Sequence, residues 1–446
     1  MRCPGSLPEL AQAPGGCNSS LEVTLEEPDR LLGGVAGYLL GLRPRLPAAV
    51  WTVVAGGAVS ALGNGFVLPY GSIYLHVVRG IPIPVVGALL SFSALASLLV
   101  AVAGGPLVDR LSPKAVILLG LGFQTLGFAS LGFATGIPQA ALSLGLVGLG
   151  AGCFFPALGA LLAAITTRAE RAAAASLQYA ANNLGIGLGA IVGGLLVSTS
   201  RPGTFTLVYL LDAATFVVFA AVAILRVPSG RHREERVRSS GYVAVLRDWR
   251  FMAVVVFNVM VVVSTYSQLD SSVPLYARVF LRVPTAAIGL ILAANTGFIV
   301  LAQLPLARLV RRVPRTRTLS LCGAVWAACW MVGWLASLER GMAAAAWLGV
   351  FAVTFGAGEC LLSATLGPLV ADLARPALRG RYMATFNLSW AIGLLVGPSL
   401  GGVLVGSFLR PWMWLIWAAV AVGLALWASL LTRWLPEAVN LGPSPA

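Results

Sequence analysis

Twelve apolar stretches follow one another along this 446-residue chain, each roughly long enough to cross the hydrocarbon core of a bilayer. Lipid offers no partner for bare backbone groups, so a stretch of about 20 apolar residues must cross as a helix that satisfies its own amides and carbonyls. Hydropathy sets the spans at 47–73, 85–106, 114–134, 138–165, 172–198, 203–225, 250–276, 285–310, 318–336, 343–369, 381–407 and 411–432. Only 10% of residues are charged, well below the quarter or so usual in soluble domains, and 58% are hydrophobic. The chain therefore reads as an all-α membrane protein.

The net charge of +14 would suit a nucleic-acid binder if it were gathered on one face. It is spread over alternate loops instead. Arg79, Arg201, Arg278, Arg282, Arg340 and Arg410 fall in one set of loops, and the other basic residues fall in the opposite set or the tails. That asymmetry predicts cytoplasmic N and C termini in a plasma-membrane protein and no nucleic-acid partner. A tail over 1–46 carries an apolar patch at 31–40, too short to span, which suits an amphipathic segment on the inner surface. Cys3, Cys17, Cys153, Cys322, Cys329 and Cys360 have no CxxC spacing and read as small apolar residues, so no metal site or disulfide is expected.

A repeat with a period of about 205 residues divides the chain. Ile83-Pro84-Val85-Val86-Gly87 matches Pro284-Thr285-Ala286-Ala287-Ile288-Gly289, and Pro69-Tyr70 parallels Pro274-Leu275-Tyr276. Gly185, Gly189, Gly193 and Gly194 likewise parallel Gly393, Gly397, Gly401 and Gly402. Two parallel six-helix halves leave such a pattern. The expected bundles are 47–226 and 250–434, joined by a polar, Arg-rich cytoplasmic linker at 227–249 and followed by a tail at 435–446.

Between the second and third spans runs Gly104-Gly105-Pro106-Leu107-Val108-Asp109-Arg110-Leu111-Ser112-Pro113-Lys114. Its glycine, acid–base pair and following basic residue resemble the signature loop of Major Facilitator Superfamily transporters. Leu62-Gly63-Asn64-Gly65-Phe66-Val67-Leu68-Pro69 and the segment from Gly356 to Met383 are similar to bacterial twelve-span multidrug-efflux-like members of that family. The resemblance implies two pseudo-symmetric six-helix bundles, with Gly105, Asp109, Arg110 and Lys114 forming a cytoplasmic gate loop. Gly397-Pro398-Ser399-Leu400-Gly401-Gly402 looks like the antiporter signature, which efflux members carry in span five rather than span eleven. The same glycines equally suit backbone-to-backbone helix packing.

Asp212, Asp270 and Glu359 are the acids inside spans, and each costs about 2.5–3.5 kcal/mol if left charged near a helix centre. Each therefore needs a partner, water or a proton. Spans seven and ten line the cavity in the resembling fold, which makes Asp270 and Glu359 candidates for proton coupling and Asp212 a structural hydrogen-bonding residue. Asn64, Phe66, Phe154, Phe155, Tyr266, Gln268, Asn295, Phe298, Asn387 and Trp390 are cavity candidates, because aromatics with scattered amides suit drug-like ligands. The only lysine follows Pro113, so there is no P-loop, and the two histidines show no catalytic spacing. No cofactor or enzymatic activity is expected. The chain reads as a monomeric, proton-driven exporter of small amphipathic molecules that works by alternating access. Import of a small organic solute, or a non-transporting receptor on the same fold, are the other readings.

Overall fold

The computed structural model describes residues 46–167, 170–227, 242–375 and 378–441, with the backbone alone at 102–110 and 172. The tail patch at 31–40 and most of the linker lie outside these residues. Twelve helices among them are long and apolar enough to cross a membrane. They are α1 (Ala48–Val78), α2 (Ile83–Arg110), α3 (Pro113–Leu131), α4 (Ile137–Ile165), α5 (Arg171–Leu196) and α6 (Gly203–Arg226). The second set is α7 (Trp249–Asp270), α8 (Thr285–Val310), α9 (Arg315–Ser337), α10 (Gly341–Leu373), α11 (Arg379–Gly406) and α12 (Arg410–Trp434).

In the first half α1 packs on α5 and α6, α3 on α4 and α6, and α2 on α4. The second half repeats the plan: α7 packs on α11 and α12, α9 on α10 and α12, and α8 on α10. The halves meet along α2 with α11 and α5 with α8. This is the architecture the internal repeat predicts, and the glycines explain how it closes. Gly185, Gly189 and Gly193 turn toward α1, while Gly393, Gly397 and Gly401 turn toward α7. Their neighbours Gly194 and Gly402 face the other half, against α8 and α2. A Cβ on Gly402 would lie 3.0 Å from the Cα of Gly87, so only small residues permit this backbone approach.

Several span bounds move by a few residues from hydropathy, and two of the differences matter here. The turn expected from Gly104 onward begins later, because α2 continues as helix through Arg110 and leaves Leu111 and Ser112 as the connection. Pro106 does not end the helix, a tolerance usual in membrane spans, where freed backbone groups find other partners. In α7 the helix is broken at Thr265 and again at Ser271, then resumes as Ser272–Val279. Ser264, Thr265 and Ser267 donate back to the carbonyls of Met260 (2.7 Å), Val261 (2.6 Å) and Val263 (2.8 Å), bonds that compete with the helical ladder and bend it.

Ser112 caps α3 by accepting from the Ala115 amide at 3.3 Å, with Pro113 at the first turn. Lys114 then reaches across to the end of α6, donating to the carbonyls of Ile224 at 2.9 Å and Val227 at 2.7 Å. A helix end leaves such carbonyls unpaired and favours a cation beside them. Lys114→Met is therefore expected to destabilise the first half by about 1 kcal/mol, read as a lower unfolding temperature in detergent. An unchanged melt would show that water replaces the ammonium at no cost.

Candidate functional site

A cavity of about 530 Å³ lies between the halves, walled by residues of α1, α2, α3, α4, α6, α7 and α11. Most of the wall is apolar. Its polar groups come from both halves: Ser72, Ser93 and Ser97 on one side, Ser267, Asp270, Ser271 and Asn387 on the other. Phe155 and Trp390 supply aromatic faces, and Phe155 is largely exposed to the space. Asp270 is the one acidic or basic side chain among the described lining residues. It stands where α7 breaks, so the break that the serines and threonine create presents the carboxylate at the wall.

Glu359 lies off this wall. It is half-buried on α10, and Asn295 of α8 donates to its Oε2 at 2.8 Å and to the Ala352 carbonyl at 3.2 Å. Asp270 of α7 and Tyr179 of α5 lie within its electrostatic reach, so Glu359 faces the junction of the two halves. Neither acid has a basic partner among the described residues; the ion pair described there is Arg315 with Asp372, at 2.7 Å between the start of α9 and the end of α10. Asp212 is fully buried in α6 beside Thr215, whose hydroxyl donates to the Asp212 backbone carbonyl at 2.7 Å.

The other candidates divide by position. Asn387, Trp390 and Phe155 line the cavity. Tyr266 packs tilted against Trp390 at 4.7 Å and stands edge-on to Trp326 and Phe355, which fixes the ring behind the wall. Gln268 is completely buried and donates to the Val263 carbonyl at 2.8 Å and the Gly397 carbonyl at 2.9 Å, bracing broken α7 against α11. Phe66 and Phe154 belong to the packed core, the latter against Phe219. Phe298 sits beside Gly356, and Asn64 is half-buried on α1. Side chains of Gly105, Asp109 and Arg110 lie outside the described residues, while Lys114 holds α3 to α6 inside the first half.

The halves are joined at the end farther from Leu46 and Leu441, the first and last described residues. Ser399 Oγ and the Ser91 hydroxyl meet at 2.7 Å, Thr285 donates to the Val197 carbonyl at 3.0 Å, and Arg278 donates to Thr199 at 2.6 Å. Below them, Tyr70 Oη donates to the Ala190 carbonyl at 2.7 Å, where Gly289 packs against the same carbonyl. Ser93 and Ser97, one turn apart on α2, put hydroxyls on the cavity wall that sequence reasoning passed over, since single hydroxyls in an apolar helix match no motif. Their i, i+4 placement was the available signal.

Residues 53–284 and 281–446 each match the family model described as Major Facilitator Superfamily. The chain belongs to this superfamily. Among its relatives, the uncharacterized MFS-type transporter YqjV of Bacillus subtilis (strain 168) is 26% identical over 364 residues, covering 80% of this chain and 86% of that one. The multidrug resistance protein MdtH of Aeromonas salmonicida (strain A449) is 26% identical over 391 residues, covering 83% and 92% respectively. Among solved structures, a POT family transporter in complex with 5-aminolevulinic acid superposes with a TM-score of 0.71 at 15% identity, covering 88% of this chain and 96% of that one. The nucleoside transporter NupG gives 0.67 at 14%, covering 87% and 100%. At those identities the structures establish the superfamily fold. Together with the twelve apolar helices, membership makes this a multi-pass membrane protein of a transporter family.

Proposed function

We propose that this superfamily member is a proton-coupled exporter of small amphipathic molecules, set in the plasma membrane with both termini cytoplasmic. The observation that carries the reading is a pair of intramembrane acids without basic partners, Asp270 on the cavity wall and Glu359 at the junction of the halves. An acid so placed changes its proton load when hydration changes, and alternating access changes hydration. The bundles 47–226 and 250–434 rock about the cavity, and the joined end corresponds to the outward gate closed. A largely apolar wall with aromatic faces and a few hydroxyls suits ligands that are amphipathic rather than strongly polar. The name of the MdtH relatives agrees with export of drug-like compounds.

The test is transport by the purified protein in liposomes. A cationic dye should move against its gradient when a pH difference is imposed across the membrane and stop when an ionophore dissipates it. Dye movement indifferent to the pH difference would rule out proton coupling, and no movement of any amphipathic probe would sink the substrate class.

A further inference from the structure

A second cavity, of about 770 Å³, lies on the face where α10 ends and α7 begins. It is bounded by the short helix Tyr242–Leu246, the start of α7, the end of α10, and Pro436 and Val439 of the tail. Three arginines line it: Arg247, Arg250 and Arg375. The two acids beside them are already engaged. Asp248 accepts from the Phe251 amide at 3.3 Å and from Tyr382 Oη at 2.7 Å, and Asp372 holds Arg315. No guanidinium of the three has a hydrogen bond or ion pair among the described residues; Arg250 lies over the Trp249 ring at 5.7 Å. Asp248 keeps its charge behind neutral donors and Asp372 is met by Arg315, so three arginines against Asp248 leave the recess with a net positive charge.

Its rim is apolar and aromatic. Val243 and Leu246 are exposed while Val245 between them is buried, so the short helix lies flat with one side packed and one side free. Trp249 stands edge-on to Trp434 at 5.5 Å, and tryptophans gather where acyl chains give way to headgroups. Basic recesses between membrane helices hold anionic headgroups, and the volume far exceeds that of one phosphate ion. We propose that this recess binds the phosphate of an anionic phospholipid, with the acyl chains lying over Val243, Leu246 and Trp249.

The experiment counts lipid adducts on the full-length protein in neutral detergent by native mass spectrometry, comparing phosphatidylglycerol with phosphatidylcholine. Phosphatidylglycerol should bind more tightly. Each of Arg247→Gln, Arg250→Gln and Arg375→Gln should weaken it about fivefold, and the three together about a hundredfold. The corresponding triple lysine variant should keep the preference, because it keeps the charge. Arg433→Gln, on the same face but outside the recess, should leave it unchanged. Equal binding of the two lipids, or a preference that survives the triple glutamine variant, would overturn the proposal. Inorganic phosphate or glycerol 1-phosphate binding as tightly as the lipid would assign the recess to a soluble phosphate and overturn the lipid assignment.

Discussion

Glu359→Gln is expected to collapse concentrative transport in liposomes while leaving the protein folded and able to exchange substrate downhill. Glutamine has the shape of glutamate, and its amide oxygen still accepts from Asn295 Nδ2, which stands 2.8 Å from the carboxylate. What it loses is the capacity to take up and release a proton. One proton exchanged per substrate across a difference of one pH unit supports at most about a tenfold accumulation, since each tenfold costs about 1.4 kcal/mol. The wild-type protein should approach that ratio, and Glu359→Gln should fall to a ratio near unity at any imposed difference. Asp270→Asn, measured in parallel, separates the two acids. A collapse in Asp270→Asn with accumulation retained in Glu359→Gln would move the coupling group to the cavity wall. Retention in both would place the proton-coupling group on neither acid.

Much of the fold was legible because the bilayer reduces it to one dimension. Span length follows from the thickness to be crossed, and the 205-residue repeat supplied the second half from the first. The glycines at 185, 189 and 193, matched by 393, 397 and 401, marked the close helix contacts. The site was less legible, since hydropathy says which residues are in a span and not which way they point. Phe154 and Phe155 are adjacent, yet the first is buried in the core and the second faces the cavity. Gln268 and Asp270 are two residues apart on the same helical segment, Tyr266–Asp270, so they point to different sides, one into the α11 contact and the other to the wall. A Ser/Thr-rich stretch from 264 to 272 carried the signal for the break in α7. The recess of Arg247, Arg250 and Arg375 joins parts of the chain more than a hundred residues apart, and the sequence offers it only as a general loop charge.

Gly289→Leu is expected to hold the transporter open at the end where the halves now meet. Gly289 packs directly against α5: a Cβ there would lie 2.6 Å from Tyr70 Oη and 3.1 Å from the carbonyl carbon of Ala190, and the second of these is backbone that cannot step aside. Tyr70 is committed as well, through its bond to the Ala190 carbonyl. In the alternating-access cycle proposed above, the halves separate at this end in the other state, which frees the space a leucine side chain needs. The substitution thus penalises one state alone, which is what shifts a two-state equilibrium. Overpacking of this kind costs about 1–3 kcal/mol, or about a five- to 150-fold change in the ratio of states. Spin labels at Ser200 and Glu339, exposed positions on the two halves at that end, should report a longer distance in Gly289→Leu, and turnover should fall with the lost state. Gly297→Leu lies two turns along the same helix with open space around it and should change neither. An unaltered distance in Gly289→Leu would mean that the α5–α8 contact does not close the gate, and the weight would pass to the α2–α11 contact at Ser91 and Ser399.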